Sequence, residues 1–216
     1  MTLDALDFVS LSGTVGLIAT GLLVLNLLLG VLLSTGYRTT AAWKRLPARL
    51  RAVRVYQLHN WTAYAALAVA LVHPLLLLLD AEGRFSLLNI LVPLTGPFQR
   101  YTYTLGAVAL YGLAVAVVTS TGAVRRRLSN RVWKRIHVAS YGAAALFLVH
   151  GLLADPLLLG RPVDVLDAEK VLSEAGLVLL VVAGVYRLRH RPARRGAVPP
   201  RGAAVQVGRQ IGRAHV

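Results

Sequence analysis

Residues 55–79 read VYQLHNWTAYAALAVALVHPLLLLL, and this stretch decides the fold. It runs for 25 residues without an Asp, Glu, Lys or Arg. As an α-helix rising about 1.5 Å per residue it is long enough to cross the roughly 30 Å hydrocarbon core of a bilayer. Its unbroken Leu, Val and Ala do not alternate in and out as the strands of a membrane barrel must. Four more runs of the same kind lie at about 8–34, 101–122, 132–155 and 171–188. The leading MTLDALD is acidic and the run after it is too long for a signal-peptide core, so the first run reads as a retained helix. The expectation is an all-α polytopic membrane helix bundle of five spans over residues 1–189. A basic tail, 190–216, rich in Arg, Pro and Gly, reads as disordered and cytoplasmic.

Composition agrees. Of 216 residues 56% are apolar and only 15% charged, where a soluble domain carries charge at about a quarter of its positions. A formal net charge of +15 in a soluble chain would point to nucleic acid, but the apolar excess argues against that partner and for lipid. Cysteine is absent, which excludes disulfides, thiolate metal sites, iron–sulfur clusters and a cysteine nucleophile.

The charges sort by side. Loop 35–54 holds six cations and no acid, loop 123–135 another six and none, and the chain after 186 eight more, so twenty of the 24 lie in three segments on one face. All nine acids fall on the other face, joined only by Arg84, Arg100, Arg161 and Lys170. The positive-inside rule then puts the amino terminus outside and the carboxyl terminus inside a cytoplasmic membrane. Most of these cations fix topology and meet anionic lipid. Arg54, Lys134 and Arg135 stand apart because they sit at the mouths of the histidine-bearing helices. Trp61, Trp133, Tyr101 and Tyr103 lie near the expected interfaces, where aromatic belts form. His190 and His215 fall in the tail and read as incidental.

An ionisable residue inside a span is a functional hypothesis by default. Four remain: His59 and His73 on the second span, His137 and His150 on the fourth. The two spans run parallel, and the intervals of 14 and 13 residues correspond to about 21 and 20 Å of helix. Two facing pairs follow, His59 with His137 in the inner half and His73 with His150 in the outer half. Zinc needs three or four ligands about one point, and these pairs are too far apart to share one. A haem needs one ligand on each face of its iron, and its flat macrocycle fits between helices lined with Ala63, Ala66, Ala70, Ala139, Gly142 and Ala143. With both axial positions filled, the chemistry is one-electron transfer. Two other readings stay open: histidines that only pack, and a histidine-based proton or solute channel without haem.

Helix angles raise a problem. Fourteen residues at about 100° each keep His59 and His73 on one face, whereas thirteen leave His137 and His150 about 140° apart. A tightened turn near Gly142, or rotation of the helix, is expected to absorb the difference. Pro74 should bend the second span just after His73.

The spacing in QLHNWTAYAALAVALVH (57–73) and IHVASYGAAALFLVH (136–150) resembles the ferric reductase-like transmembrane family. The stretch TSTGAVRRRLSNRVWKRIHVASY (119–141) is most similar to the haem-binding subunit of bacterial methionine sulfoxide reductase systems. The resemblance covers about residues 10–188. It implies two b-type haems on His59, His73, His137 and His150, with electrons moving from the cytoplasmic face to an acceptor outside: ferric iron, or a partner reductase such as one for methionine sulfoxide. Members commonly have six core helices, one more than counted here, and many carry a flavin and nicotinamide domain. The 28 residues after 188 hold no G-x-G-x-x-G following a strand. The expected electron donor is therefore a flavoprotein, a quinol or a bound flavin. Haem propionates want cations at the membrane edge: Arg54, Lys134 and Arg135 for the inner haem, Arg84, Arg100 and Arg161 for the outer. The outer loop SLLNILVPLTGPFQR (86–100) is apolar and Pro-broken. It reads equally as a lid over the outer pair or as a segment lying on lipid.

Overall fold

A computed structural model describes residues 7–35, 37–80, 82, 84–154 and 168–189. The chain divides into compact units at Met1–Ala183 and Gly184–Val216, and the helix bundle lies in the first. Arg161 and the tail 190–216, with His190 and His215, lie outside the described residues. The described residues are helical, with no strand among them.

Five long helices form: α1 Phe8–Ser34, α2 Val55–Leu75, α3 Arg100–Ser120, α4 Asn130–Leu153 and α5 Ala168–Arg189. Among the described residues, the first four are long and apolar enough to cross a membrane, counting the 3-10 turn Leu76–Leu79 with α2. They make the chain a multi-pass membrane protein. α5 sits where the fifth span is expected, but it is not one of these four.

Local chemistry sets the ends. The Asp7 carboxylate caps α1 by accepting from the Val9 and Ser10 amides, and the Ser129 hydroxyl caps α4 through the Val132 amide. α3 closes on Thr119, Ser120 and Thr121, whose hydroxyls donate back to the carbonyls of Val115, Ala116 and Val118. These back-bonds satisfy the hydroxyls where water is scarce. The α-helix runs through Pro74 to Leu75 and then gives way to a 3-10 turn over Leu76–Leu79.

Two antiparallel pairs, α1 with α2 and α3 with α4, supply most of the packing, and α2–α3 and α1–α4 close the ring. The centre holds Ala19, Leu23, Ala70, Ala109, Ala144 and Phe147, all buried, and the alanines let the backbones come close. In this ring α2 and α4 lie on a diagonal rather than packing against each other, which corrects the expectation of neighbouring histidine helices. A diagonal pair keeps space between its axes, and bundle cofactors occupy that kind of space. α4 is an unbroken α-helix from Asn130 to Leu153, so the expected tightened turn near Gly142 does not occur.

Candidate functional site

The four histidines of the spans meet in two pairs inside the bundle. His59 and His137 have ring centroids 6.2 Å apart with planes at 78°. His73 and His150 are also 6.2 Å apart, at 68°. α4 needs no distortion because its two rings reach inward from different sectors. His150 reaches from the side facing α3, against Thr102 and Gly106, and His137 from a position stacked on Trp133.

What holds the rings is a device that the sequence reading did not anticipate. On α1 the Ser12 carbonyl accepts from His73 Nδ1 at 2.7 Å, and the Ser12 hydroxyl donates to the His73 carbonyl at 2.8 Å. Fourteen residues later it recurs. The Asn26 carbonyl accepts from His59 Nδ1 at 3.2 Å, and Asn26 Nδ2 donates to the His59 carbonyl at 2.6 Å and to Thr62 Oγ1 at 2.8 Å. On α3 the Thr102 carbonyl accepts from His150 Nδ1 at 2.8 Å. A carbonyl can only accept, so Nδ1 carries the proton in these three rings and Nε2 keeps its lone pair for a ligand.

One turn after each clamp stands a glycine. A Cβ at Gly16 would lie 2.9 Å from His73 Cε1 and Nδ1, at Gly106 2.9 Å from His150 Cε1, and at Gly30 3.3 Å from His59 Cε1. These glycines are the room the rings occupy. The pattern was present in the sequence as Ser12-x3-Gly16, Asn26-x3-Gly30 and Thr102-x3-Gly106. The first two repeat at the His59–His73 interval of 14 residues, a signal that hydropathy alone passes over.

The outer pair closes a cleft with about 890 Å³ of non-atom space, counting its mouth, lined by Ser12, Ala70, Gly106, Phe147 and Ala154 among others. Phe85 and, from the outer loop, Asn89, Ile90 and Gly96 line it too, while Leu87, Leu88 and Leu94 of that loop are exposed. A short helix, Leu87–Leu91, starts on a Ser86–Asn89 capping box. The Tyr111 hydroxyl bonds the Leu91 carbonyl, and Leu94 and Gln99 take positive φ to make the turn back. Phe85, Phe98 and Tyr103 form an edge-to-face cluster beside His150.

The aromatic residues divide. Trp61 and Tyr101 are 71% and 73% exposed, as belt residues should be, whereas Tyr103 and Trp133 turn into the bundle. Arg54, Arg100, Lys134 and Arg135 are exposed. Arg84 pairs with Asp80 at 2.8 Å and Glu82 at 3.2 Å. Its guanidinium holds the Asp80 carboxyl below the usual carboxylate range.

Apolar spans with paired imidazoles between them define a membrane bundle whose core presents ligands. The chain belongs to the family of ferric reductase-like transmembrane components, whose profile matches residues 15–148. Members of this family bind haem, and membership indicates a role in membrane electron transfer. The matched segment contains His59, His73 and His137 and stops two residues short of His150. No curated protein and no solved structure matches the chain significantly.

The residues fit that group. A metal–imidazole bond of about 2 Å, plus about 1 Å from ring nitrogen to ring centre, puts two rings gripping one metal about 6 Å apart, which is the separation in both pairs. Among the described residues no cluster of three His, Cys, Asp or Glu could hold a bare ion. Two imidazoles alone under-coordinate a metal, and a macrocycle such as haem would supply the remaining ligands.

Proposed function

We propose that this protein is a membrane b-type cytochrome carrying electrons across the cytoplasmic membrane through two bis-histidine haems. His59 and His137 would hold the inner haem, His73 and His150 the outer. A haem held by two of these histidines would supply one-electron transfer. The chain's own part would be to hold the four rings in facing pairs, with Nε2 free on His59, His73 and His150, to cover the outer pair with the loop 86–100, and to keep two centres about 20 Å apart along parallel helices. The observation that carries this reading is the equal 6.2 Å separation of the two imidazole pairs.

The charge sorting supports an external amino terminus, a cytoplasmic carboxyl terminus and α5 as a fifth span. Arg54, Lys134 and Arg135 are placed for the propionates of the inner haem. Arg100 is placed for those of the outer one, with Arg84 a lesser choice because Asp80 and Glu82 already engage it. The donor on the cytoplasmic side would be a flavoprotein, a quinol or a bound flavin. The acceptor outside would be ferric iron or a partner reductase such as one for methionine sulfoxide, which the likeness of 119–141 favours.

Purified full-length protein should be red, bind two haems per chain, and show a Soret band that sharpens and shifts on dithionite reduction. His73→Ala and His150→Ala should each leave one haem and stop transmembrane transfer. A colourless protein, or variants that keep full haem content and activity, would reject the reading and favour the histidine-based channel.

A further inference from the structure

His137 differs from the other three histidines in what lies flat against it. Trp133, one turn earlier on α4, stacks on its ring with centroids 4.9 Å apart and planes only 16° from parallel. The other aromatic contacts of these histidines are tilted or edge-on, at 55° or more. The indole is itself pinned. Its Nε1–H donates to Ser120 Oγ on α3 at 3.3 Å, and the Arg125 guanidinium sits 4.6 Å from its ring centre. Arg125 is held there by bonds to the Leu128 carbonyl at 3.2 Å and to Asn130 Oδ1. The turn 121–129 thus folds one of its arginines back onto the helix that carries the ligand. A residue serving only as an interface anchor needs none of this, as the 71% exposure of Trp61 illustrates.

The χ2 torsion of histidine is broad and roughly two-fold, so an imidazole ligand has to be oriented by something outside itself. We propose that Trp133, steadied by Ser120 and Arg125, is a positioning residue that sets the ring plane of His137 and thereby the ligand field of the inner haem. This rests on the haem reading above. Offset stacking on an indole face favours a ring plane parallel to it, and the guanidinium over the indole adds a cation–π contact to the assembly. Outer-shell residues of this kind alter metal affinity by about 10-fold to 100-fold when removed.

The test compares full-length wild type, Trp133→Phe, Trp133→Leu and His137→Ala in lipid nanodiscs. It measures haem per chain, the low-spin ferric resonance and the midpoint potential of each centre. His137→Ala should lose the inner haem alone. Trp133→Leu should keep the outer haem unchanged, weaken retention of the inner one about 10-fold or more, and shift its resonance and potential. Trp133→Phe, which keeps a flat ring, should restore all three. The proposal is overturned if Trp133→Leu matches wild type while His137→Ala loses one haem. It is equally overturned if Phe and Leu alike lose both haems, which would assign Trp133 to fold stability. Wild type without haem would reject the functional reading, and this proposal with it.

Discussion

The outer and inner histidine pairs are built on one plan to different tightness. At the outer pair His150 is 7% exposed, the clamps close at 2.7 and 2.8 Å, and both flanking glycines leave under 3 Å for a Cβ. An aromatic cluster of Phe85, Phe98 and Tyr103 meets His150 through Tyr103. At the inner pair the Nδ1 contact of His59 is 3.2 Å and its glycine leaves 3.3 Å. The loop before α2 carries short helices, Ala41–Arg45 and Ala48–Arg51, whose residues are mostly exposed. The 14-residue repeat in α1 thus sits closer to the His73 ring than to the His59 ring.

The sharpest way to break the comparison is through the glycines. Gly16→Ala or Gly106→Ala must drive a methyl into an imidazole, at a cost of about 1–3 kcal/mol for overpacking, and should displace the outer ring and its haem. Gly30→Ala needs its neighbour to yield only a few tenths of an ångström and should retain most inner haem. Haem content and optical spectra of the three variants check this, and equal losses at all three positions would erase the distinction between the pairs.

The side-chain halves of the clamps come next. Asn26→Ala removes two donated bonds, to His59 and Thr62, and Ser12→Ala removes the one donated to the His73 carbonyl and a 3.1 Å contact with His73 Nδ1. At about 1 kcal/mol per bond, the two variants should lower thermal stability by similar amounts. The backbone carbonyls remain, so Nδ1 of both rings stays satisfied and haem content should hardly change.

The smallest effect belongs to the ion pair at the base of the outer loop. Arg84 depresses the Asp80 pKa, so the pair contributes stability above the ordinary carboxylate pKa. That contribution fades as pH falls through the depressed value. Exposed pairs contribute little, so Arg84→Ala should leave the melting temperature nearly unchanged at neutral pH and flatten its decline in acid. A steeper decline in the variant would contradict this assignment.

Much of the architecture could be read directly. The span 55–79 reappears to the residue as α2 with its 3-10 extension, and the first run as α1, because an apolar stretch in lipid has only the helix to satisfy its backbone. The pairing of His59 with His137 and His73 with His150 followed from depth alone, since two parallel helices rise equally per residue. The packing of Trp133 and the involvement of Arg125 were missed. Both lie in a segment whose charge and aromatic content fit an interface equally well, and only the path of the turn 121–129 shows which way they face.

The amino-acid order by itself determined four apolar helices of the five it predicted, and the relative depth of the four histidines within them. These depend on hydrophobicity and on a fixed rise per residue, both local properties. Only the tertiary structure decided that α2 and α4 stand on a diagonal, that Ser12, Asn26 and Thr102 clamp the rings, and that glycines on α1 and α3 make room for them. Those contacts join a side chain on one helix to the backbone of an antiparallel neighbour. They depend on the rotation and register of two helices, which hydropathy does not encode.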